Sequence, residues 1–79
     1  MMTRAALDEA IRSFKTREPF QPFVIEFDDG RRFVVREPNA VHCLFGSANY
    51  WGPDGELNLF DNEVVSRVVA LADSDGSKP

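Results

Sequence analysis

The segment from Phe23 to Arg36 constrains the fold most strongly, because its pattern is that of a β-hairpin. Apolar residues alternate from Phe23 to Phe27, Asp28-Asp29-Gly30 follows, and a second apolar run leads to Arg36. A period of two is typical of a strand, and acidic residues before glycine are typical of a turn. We therefore predict two antiparallel strands joined by a tight turn.

The side chains of this hairpin also specify its register. A two-residue turn at Asp29-Gly30 sets Phe27 opposite Arg32 and mixes aromatic with charged side chains on both faces. A three-residue turn, with Gly30 in the left-handed conformation, avoids this mixture. The predicted pairs are Ile25 with Phe33, Phe23 with Val35, and Glu26 with Arg32. One face is then apolar and the other charged.

An amphipathic helix is predicted before the hairpin, from Arg4 to Lys15, with Thr3 as its N-cap. Its apolar residues recur at the i, i+3, i+4 and i+7 spacing of one helical face, namely Leu7, Ala10, Ile11 and Phe14. Pro19 and Pro22 then favour an extended connector, because proline does not continue a helix.

Three further strands are predicted in the second half of the chain. The third strand covers 40–45, and the glycine-containing stretch 46–55 is predicted to be a connecting loop. The fourth strand covers 57–60. For the segment that follows we favour a single turn over 62–65 and a short strand over 66–71, because four valines suit a strand. A helix stays open as the alternative there, because the same valines also fit helical spacing.

The predicted fold class is α+β, with the N-terminal helix packed on a strongly bent five-stranded antiparallel sheet or small barrel. At 79 residues the chain has room for one domain, which we place at residues 1–72, and residues 73–79 are predicted to be a disordered tail because they are all polar or small. Leu7, Ile11 and Phe14 are expected to cover the core. The predicted core residues are Phe20, Phe23, Ile25, Phe27, Phe33, Val35, Val41, Leu57, Leu59 and Val68.

This order of elements resembles that of small Sm-like and SH3-like barrels. The Sm-like resemblance implies an oligomer in which the fourth and fifth strands pair across subunits, with RNA bound at the loops after strands two and four. Before the fifth strand this chain has Asp61-Asn62-Glu63, where RNA-binding relatives have a basic or glycine-containing motif. Because two carboxylates repel phosphate, we carry over the fold and not the RNA binding.

A more local resemblance covers residues 19–41, PFQPFVIEFDDGRRFVVREPNAV. This stretch is similar to the P-F-x-P-F-x-I-x-x-x-D-G-x-x-x-x-V-x-x-P segment of small uncharacterised bacterial proteins common in planctomycetes. The matching residues are Pro19, Phe20, Pro22, Phe23, Ile25, Asp29, Gly30, Val35 and Pro38. Those proteins carry no assigned activity, so the resemblance implies none.

The amino-acid composition favours one cellular compartment and disfavours two classes of binding partner. The single cysteine, Cys43, excludes an internal disulfide and favours a reducing compartment, so we expect a cytoplasmic protein. The charged N-terminal segment does not fit a signal peptide or a membrane span. A formal charge of -4 opposes non-specific binding to nucleic acid or to anionic lipid.

Catalytic, metal and cofactor sites are not expected. His42 and Cys43 are neighbours on a predicted strand, so their side chains point to opposite faces and do not form a nucleophile–base pair. Cys43 is predicted to be a core residue and His42 a surface residue. The acidic pairs Asp28-Asp29 and Asp61/Glu63 lack the spacing of a calcium loop, and the glycines do not precede a helix as in a phosphate-binding loop.

Two functional hypotheses follow. The leading one is a non-enzymatic interaction module, a homo-oligomer or a partner of another protein, that associates through an exposed strand edge such as the valine-rich last strand. The alternative is a nucleic-acid-binding barrel. In both, the candidate contact residues are Tyr50, Trp51, Arg31, Arg32 and Arg36.

Overall fold

The computed structural model describes residues 1–71, which form one α-helix, six strands and two short 3-10 turns. Their bounds are α1 Arg4–Lys15, β1 Phe23–Phe27, β2 Arg32–Val35, β3 Val41–Leu44, β4 Ser47–Trp51, β5 Leu57–Asp61 and β6 Val65–Ala70, with 3-10 turns at Pro38–Ala40 and Asn62–Val64. The predicted tail 73–79 lies outside the described residues.

The strands form two antiparallel sheets of three strands each. Sheet I has the order β2-β1-β6, and sheet II has the order β3-β4-β5. The α+β class is therefore confirmed, but the prediction of five strands in one bent sheet or barrel is wrong. The 3-10 turn at Pro38–Ala40 interrupts the chain between β2 and β3, so that β3 starts a second sheet and the described strands do not close into a barrel.

The extra strand, β4, lies inside the stretch predicted to be a loop. Phe45 and Gly46 connect β3 to β4 and both have positive φ, 53° and 85°, as the two central residues of a type I′ hairpin turn do. Ala48 and Tyr50 of β4 are buried while their neighbours are more exposed. Gly46 and Gly52 thus flank a strand, and the prediction of a continuous connecting loop over 46–55 is wrong.

The first hairpin has the predicted register. Phe23 pairs with Val35, Ile25 with Phe33 and Glu26 with Arg32. The backbone N–H of Phe27 donates to the Arg31 carbonyl at 2.9 Å, and Gly30 has a φ of 94°. The three-residue turn is therefore confirmed, with glycine at the position where the backbone is left-handed.

The ambiguous segment after β5 contains a 3-10 turn and a strand, as favoured, and not a helix. The Asp61 side chain accepts a hydrogen bond from the Glu63 N–H at 3.0 Å and caps the turn. β6 then pairs with β1, with a bulge between Glu26 and Phe27.

The helix closes one side of the core. Thr3 caps it through a hydrogen bond from the Ala6 N–H, and Leu7 and Ile11 are fully buried, as predicted. Phe14 stacks on Phe23 with ring centroids 4.9 Å apart. No helix within residues 1–71 is long and apolar enough to cross a membrane.

The core differs from the predicted one mainly at β5. Leu57 and Leu59 are exposed, and Phe60 turns inward, where its ring makes edge contacts with Phe27 and Phe33. Val24 is also fully buried although it lies on the face predicted to be charged. The core cluster consists of Leu7, Ile11, Phe23, Ile25, Phe27, Val35, Val41, Tyr50 and Val65, with Phe14, Phe20, Phe33, Cys43, Phe60 and Val68 among the partly buried residues packed against it.

Candidate functional site

A groove of about 1150 Å³ opens where the two sheets separate, between β2 and the turn that follows β4. The β2 side contributes Arg32, Phe33, Val34, Arg36 and Glu37, and the facing side contributes Tyr50, Trp51, Gly52, Pro53, Asp54, Glu56 and Asn58. Among residues 1–71, β2 and β4 are not paired with each other, and the groove lies between them.

Tyr50 joins the two sides of the groove. Its hydroxyl donates a hydrogen bond of 2.8 Å to the Val34 carbonyl oxygen, and its ring stacks on Phe33 with centroids 4.6 Å apart. Burial raises the pKa of the Tyr50 hydroxyl; the positive charge of Arg36 lowers it and the negative charge of Asp54 raises it further. The hydroxyl is therefore a neutral hydrogen-bond donor at neutral pH, with a cation and an anion close by.

Trp51 points the other way, because successive residues of a strand face opposite sides of the sheet. The residue is 48% exposed, pairs with Leu57 of β5 and lines the groove. The pair Tyr50-Trp51 therefore contributes one buried ring and one exposed ring.

Two of the three candidate arginines reach the groove. Arg32 and Arg36 line it, whereas the Arg31 guanidinium lies over the Phe27 ring and its Nε donates to Asp29 at 2.9 Å. Sequence reasoning thus identified four residues that the fold brings together, Tyr50, Trp51, Arg32 and Arg36, and one that it keeps apart.

The groove is not uniformly positive. Glu37, Asp54 and Glu56 line it together with the two arginines. Asp54 also accepts a hydrogen bond from the Glu56 N–H and is fixed in the turn after β4. The β2 side of the lining therefore carries two arginines and one carboxylate, and the turn carries two carboxylates.

The outer face of sheet II carries exposed apolar side chains that sequence reasoning missed. Leu59 of β5 is 75% exposed near Leu57 and Trp51. Leu44 and Phe45, 71% and 77% exposed, lie where β3 turns into β4, and Ser47 and Asn49 of β4 separate them from the first group.

The sequence shows that Leu57 and Leu59 lie on one face of β5 and Phe60 on the other, but not which face meets the core. The prediction of Leu57 and Leu59 as core residues is wrong, because Phe60 is the residue of β5 that packs on Phe27 and Phe33.

The outer face of sheet I has a row of alternating charge. Glu26 lies between two arginines: Arg67 Nε donates to it at 2.7 Å, and Arg32 Nε lies 3.8 Å from its other carboxylate oxygen. One carboxylate thus faces two cations, one on each neighbouring strand.

An apolar row runs beside this charged row. It consists of Val34, Val24 and Val69, which pair across β2, β1 and β6. Such cross-strand neighbours on one face are the contacts that stabilise a sheet.

β5 is an edge strand of sheet II, and β6 is an edge strand of sheet I. Among the described residues, β5 is hydrogen-bonded only to β4, and β6 only to β1. An edge strand presents unpaired N–H and C=O groups that favour pairing with another strand.

His42 and Cys43 do not form a reactive pair. His42 is exposed, with its Nδ1 3.4 Å from Lys15 Nζ, while Cys43 is half-buried on the opposite face of β3. Burial raises the pKa of the Cys43 thiol, which disfavours the thiolate. No cluster of three metal-ligating side chains occurs within residues 1–71.

Comparison of the chain with protein-family models, with curated proteins and with solved structures found no match. The groove, the two outer faces and the strand edges are therefore the features of the molecule that bear on its function.

Proposed function

We propose that the protein is a non-enzymatic interaction module that self-associates by pairing the β5 edge of one copy with the β6 edge of another. The observation that carries the proposal is the row of charge on sheet I, in which one carboxylate faces two arginines. A second carboxylate beside Arg67 would give this row two negative charges for its two positive ones.

Asp61, at the end of β5, supplies that carboxylate in one antiparallel register. If Asp61 pairs with Arg67 of a second copy, the charges alternate along four neighbouring strands. In the same register Leu59 lies opposite Val69, and Phe60 lies opposite Val68 on the core side. Apolar side chains then meet apolar ones and opposite charges meet, which favours this pairing.

The remaining edge of sheet I is poorly suited to pairing with itself. An antiparallel β2–β2 pair centred on Val34 sets Arg32 opposite Arg36, and like charges directly opposite are destabilising. The Val34 carbonyl is also already bonded to the Tyr50 hydroxyl. Charged edge residues are a common means of preventing unwanted strand pairing.

The proposed contact joins two different surfaces, so an open chain of copies keeps a free β5 edge at one end and a free β6 edge at the other until a ring closes. Pairing across copies also shields the exposed leucines at β5. Because the contact is heterologous, the expected product is a closed ring or an open chain, and a two-fold dimer is not expected.

Sedimentation velocity over a range of concentrations tests the proposal. We expect the sedimentation coefficient to rise with concentration, as reversible association requires. A chain that stays a monomer at high micromolar concentration contradicts self-association.

One observation favours nucleic-acid binding as a second candidate: the groove brings Arg32, Arg36 and Trp51 together. Two features oppose it. The Tyr50 ring is stacked on Phe33 and is only 6% exposed, so it offers no face to a base. Three carboxylates also line the groove. Fluorescence anisotropy with a single-stranded RNA at low ionic strength, where phosphate contacts are strongest, is expected to show no binding.

A further inference from the structure

We propose that Leu44 and Phe45, the tip of the β3–β4 hairpin, enter the groove of a second copy of the chain. This contact goes beyond the pairing of β5 with β6, because it uses neither strand edge. The hairpin tip precedes β4, and Trp51 at the far end of β4 lines the groove. Each copy therefore presents a protruding apolar tip at one end of β4 and a groove at the other.

Phe45 is both exposed and strained. Its exposed fraction is 77%, and its φ of 53° lies in the left-handed region, which disfavours a residue other than glycine or asparagine. Six of the seven phenylalanines contact another aromatic ring, and within residues 1–71 Phe45 is the one that does not. The fold thus holds this ring in solvent at a cost in stability, as proteins do where a residue serves a function.

The backbone of the hairpin tip is held against the rest of the molecule. Gly46 lies so close to the N-terminal helix and to Asn62 that an added Cβ would be 2.8 Å from Arg4 Cγ and from Asn62 Oδ1. Leu44, 71% exposed, pairs with Ser47 on the other side of the turn. A tip that is ordered before binding loses less entropy when it binds.

The groove has the size and the apolar lining that such a tip requires. Its volume of about 1150 Å³ exceeds the usual roughly 300–1,000 Å³ of small-molecule pockets, so it has room for two large side chains. The exposed ring of Trp51 is available for contact with another aromatic ring. The apolar residues of the lining include Phe33, Val34, Ala40, Trp51 and Pro53.

Charge does not select the occupant of the groove. The lining has three carboxylates and two guanidinium groups, those of Glu37, Asp54, Glu56, Arg32 and Arg36. The hairpin tip also has both signs beside it, since Arg4 adjoins Gly46 and Asp61 shares a cross-strand row with Leu44. Burial of apolar area is therefore the term that favours the contact. Because tip and groove are different surfaces of one chain, the contact joins copies head to tail.

The test uses full chains that carry Arg67→Asp, which removes the proposed edge pairing and changes an exposed side chain. Trp51 is the only tryptophan and lines the groove, so its fluorescence reports whether the groove is filled. Two variants are made in this background. Phe45→Asn lacks the ring of the tip and keeps the groove, whereas Trp51→Glu keeps the tip and lacks both the exposed ring of the groove and the fluorophore.

A mixture of the two variants contains one intact tip and one intact groove, with the sole tryptophan in that groove. We expect the emission to shift to shorter wavelength as the Trp51→Glu chain is added, and the shift to saturate at one to one. Each variant alone should sediment as a monomer. A chain with both substitutions has neither tip ring nor fluorophore and, as the matched control, should cause no shift.

Phe45→Asn also tests the cost of the strained ring. Asn-Gly is a preferred pair for a type I′ turn, so this variant should unfold at the same or a higher urea concentration although it loses association. Leu59→Asn changes a residue of similar exposure outside the groove lining. It should leave the association of the Arg67→Asp chain unchanged.

The proposal is overturned if mixing causes no emission shift, if the control chain causes the same shift, or if Phe45→Asn lowers the urea midpoint. It is equally overturned if the tip binds phosphatidylglycerol vesicles through Phe45, or if the Trp51→Glu chain still associates by itself. The edge pairing fails by a different result, namely a sedimentation coefficient that Arg67→Asp does not change. The two proposals therefore fail separately.

Discussion

The hydroxyl of Tyr50 lies 2.8 Å from the carbonyl oxygen of Val34, and this hydrogen bond links sheet II to the outer edge of sheet I. A side chain here makes the contact that a backbone ladder makes in a closed barrel. The two sheets are thereby held together while the space beside the bond stays open as the groove.

Tyr50→Phe removes this link and keeps the aromatic stack on Phe33. We expect the free energy of unfolding to fall by about 1 kcal/mol, the usual net contribution of one hydrogen bond. Urea unfolding followed by circular dichroism measures the change. An unchanged stability would mean that water replaces the hydroxyl at the Val34 carbonyl without cost.

The orientation of β5 is tested by two neighbouring substitutions. Phe60→Ala should lower the free energy of unfolding by about 2 kcal/mol or more, because its ring packs on Phe27 and Phe33. Leu59→Ala should change it by no more than about 0.5 kcal/mol at low protein concentration, because that side chain is exposed. A larger loss for Leu59→Ala than for Phe60→Ala would show that the leucines of β5, and not Phe60, face the core.

The first hairpin was predictable from sequence because local and long-range preferences agree there. Gly30 supplies the turn, and the alternation of Phe23, Ile25 and Phe27 admits one register that separates apolar from charged side chains. The turn residues and the alternation of apolar residues favour the same hairpin, and such agreement allows a structure to be predicted from a short segment.

β5 and β4 were not predictable in the same way. In β5 the choice between two leucines and one phenylalanine depends on which side meets Phe27 and Phe33, and the sequence around β5 does not contain that information. In β4 the alternation is carried by Ala48 and Tyr50 alone, and the flanking glycines look like a loop. Because β4 was not predicted, the side of the groove that it forms was not predicted either. The arginines and aromatic residues that line the groove were nevertheless among the candidate contact residues.

Two glycines with nearly the same backbone conformation allow a matched comparison. Gly46 and Gly55 have φ of 85° and 86°, but a Cβ at Gly46 would lie 2.8 Å from Arg4 Cγ and from Asn62 Oδ1, whereas one at Gly55 meets open space. Asn62 has little freedom to move, because its amide donates to the Met2 carbonyl at 2.8 Å.

Gly55→Ala should therefore destabilise the fold by about 1 kcal/mol, the cost of the left-handed conformation. Gly46→Ala should cost more, about 2 kcal/mol, because steric contact adds to that strain. Thermal unfolding of both variants measures the difference. Equal losses would show that the helix start and Asn62 move aside freely.

Stability should fall at alkaline pH. Burial raises the pKa of the Cys43 thiol and of the Tyr50 hydroxyl in the folded chain. The folded state then holds these protons more tightly than the unfolded state, so this contribution is complete below the unfolded pKa and is lost as pH rises through the folded pKa.

Urea unfolding at about pH 7 and at about pH 10, on either side of the ordinary thiol pKa, measures this loss. Cys43→Ala should show a smaller decrease between the two pH values than the unsubstituted chain. An identical decrease would assign the effect to Tyr50 and to general charge repulsion.

The central claim, pairing of β5 with β6 of another copy, is tested most directly by sedimentation velocity of a charge-reversal set. Asp61→Arg and Arg67→Asp should each shift the chain toward monomer, because each places like charges opposite one another across copies. The double variant, with both changes, should recover association, while Arg31→Asp serves as a control outside the interface. Recovery in the double variant is the result that the account predicts. Association that is unaffected by either single change, or a monomer throughout, would contradict it.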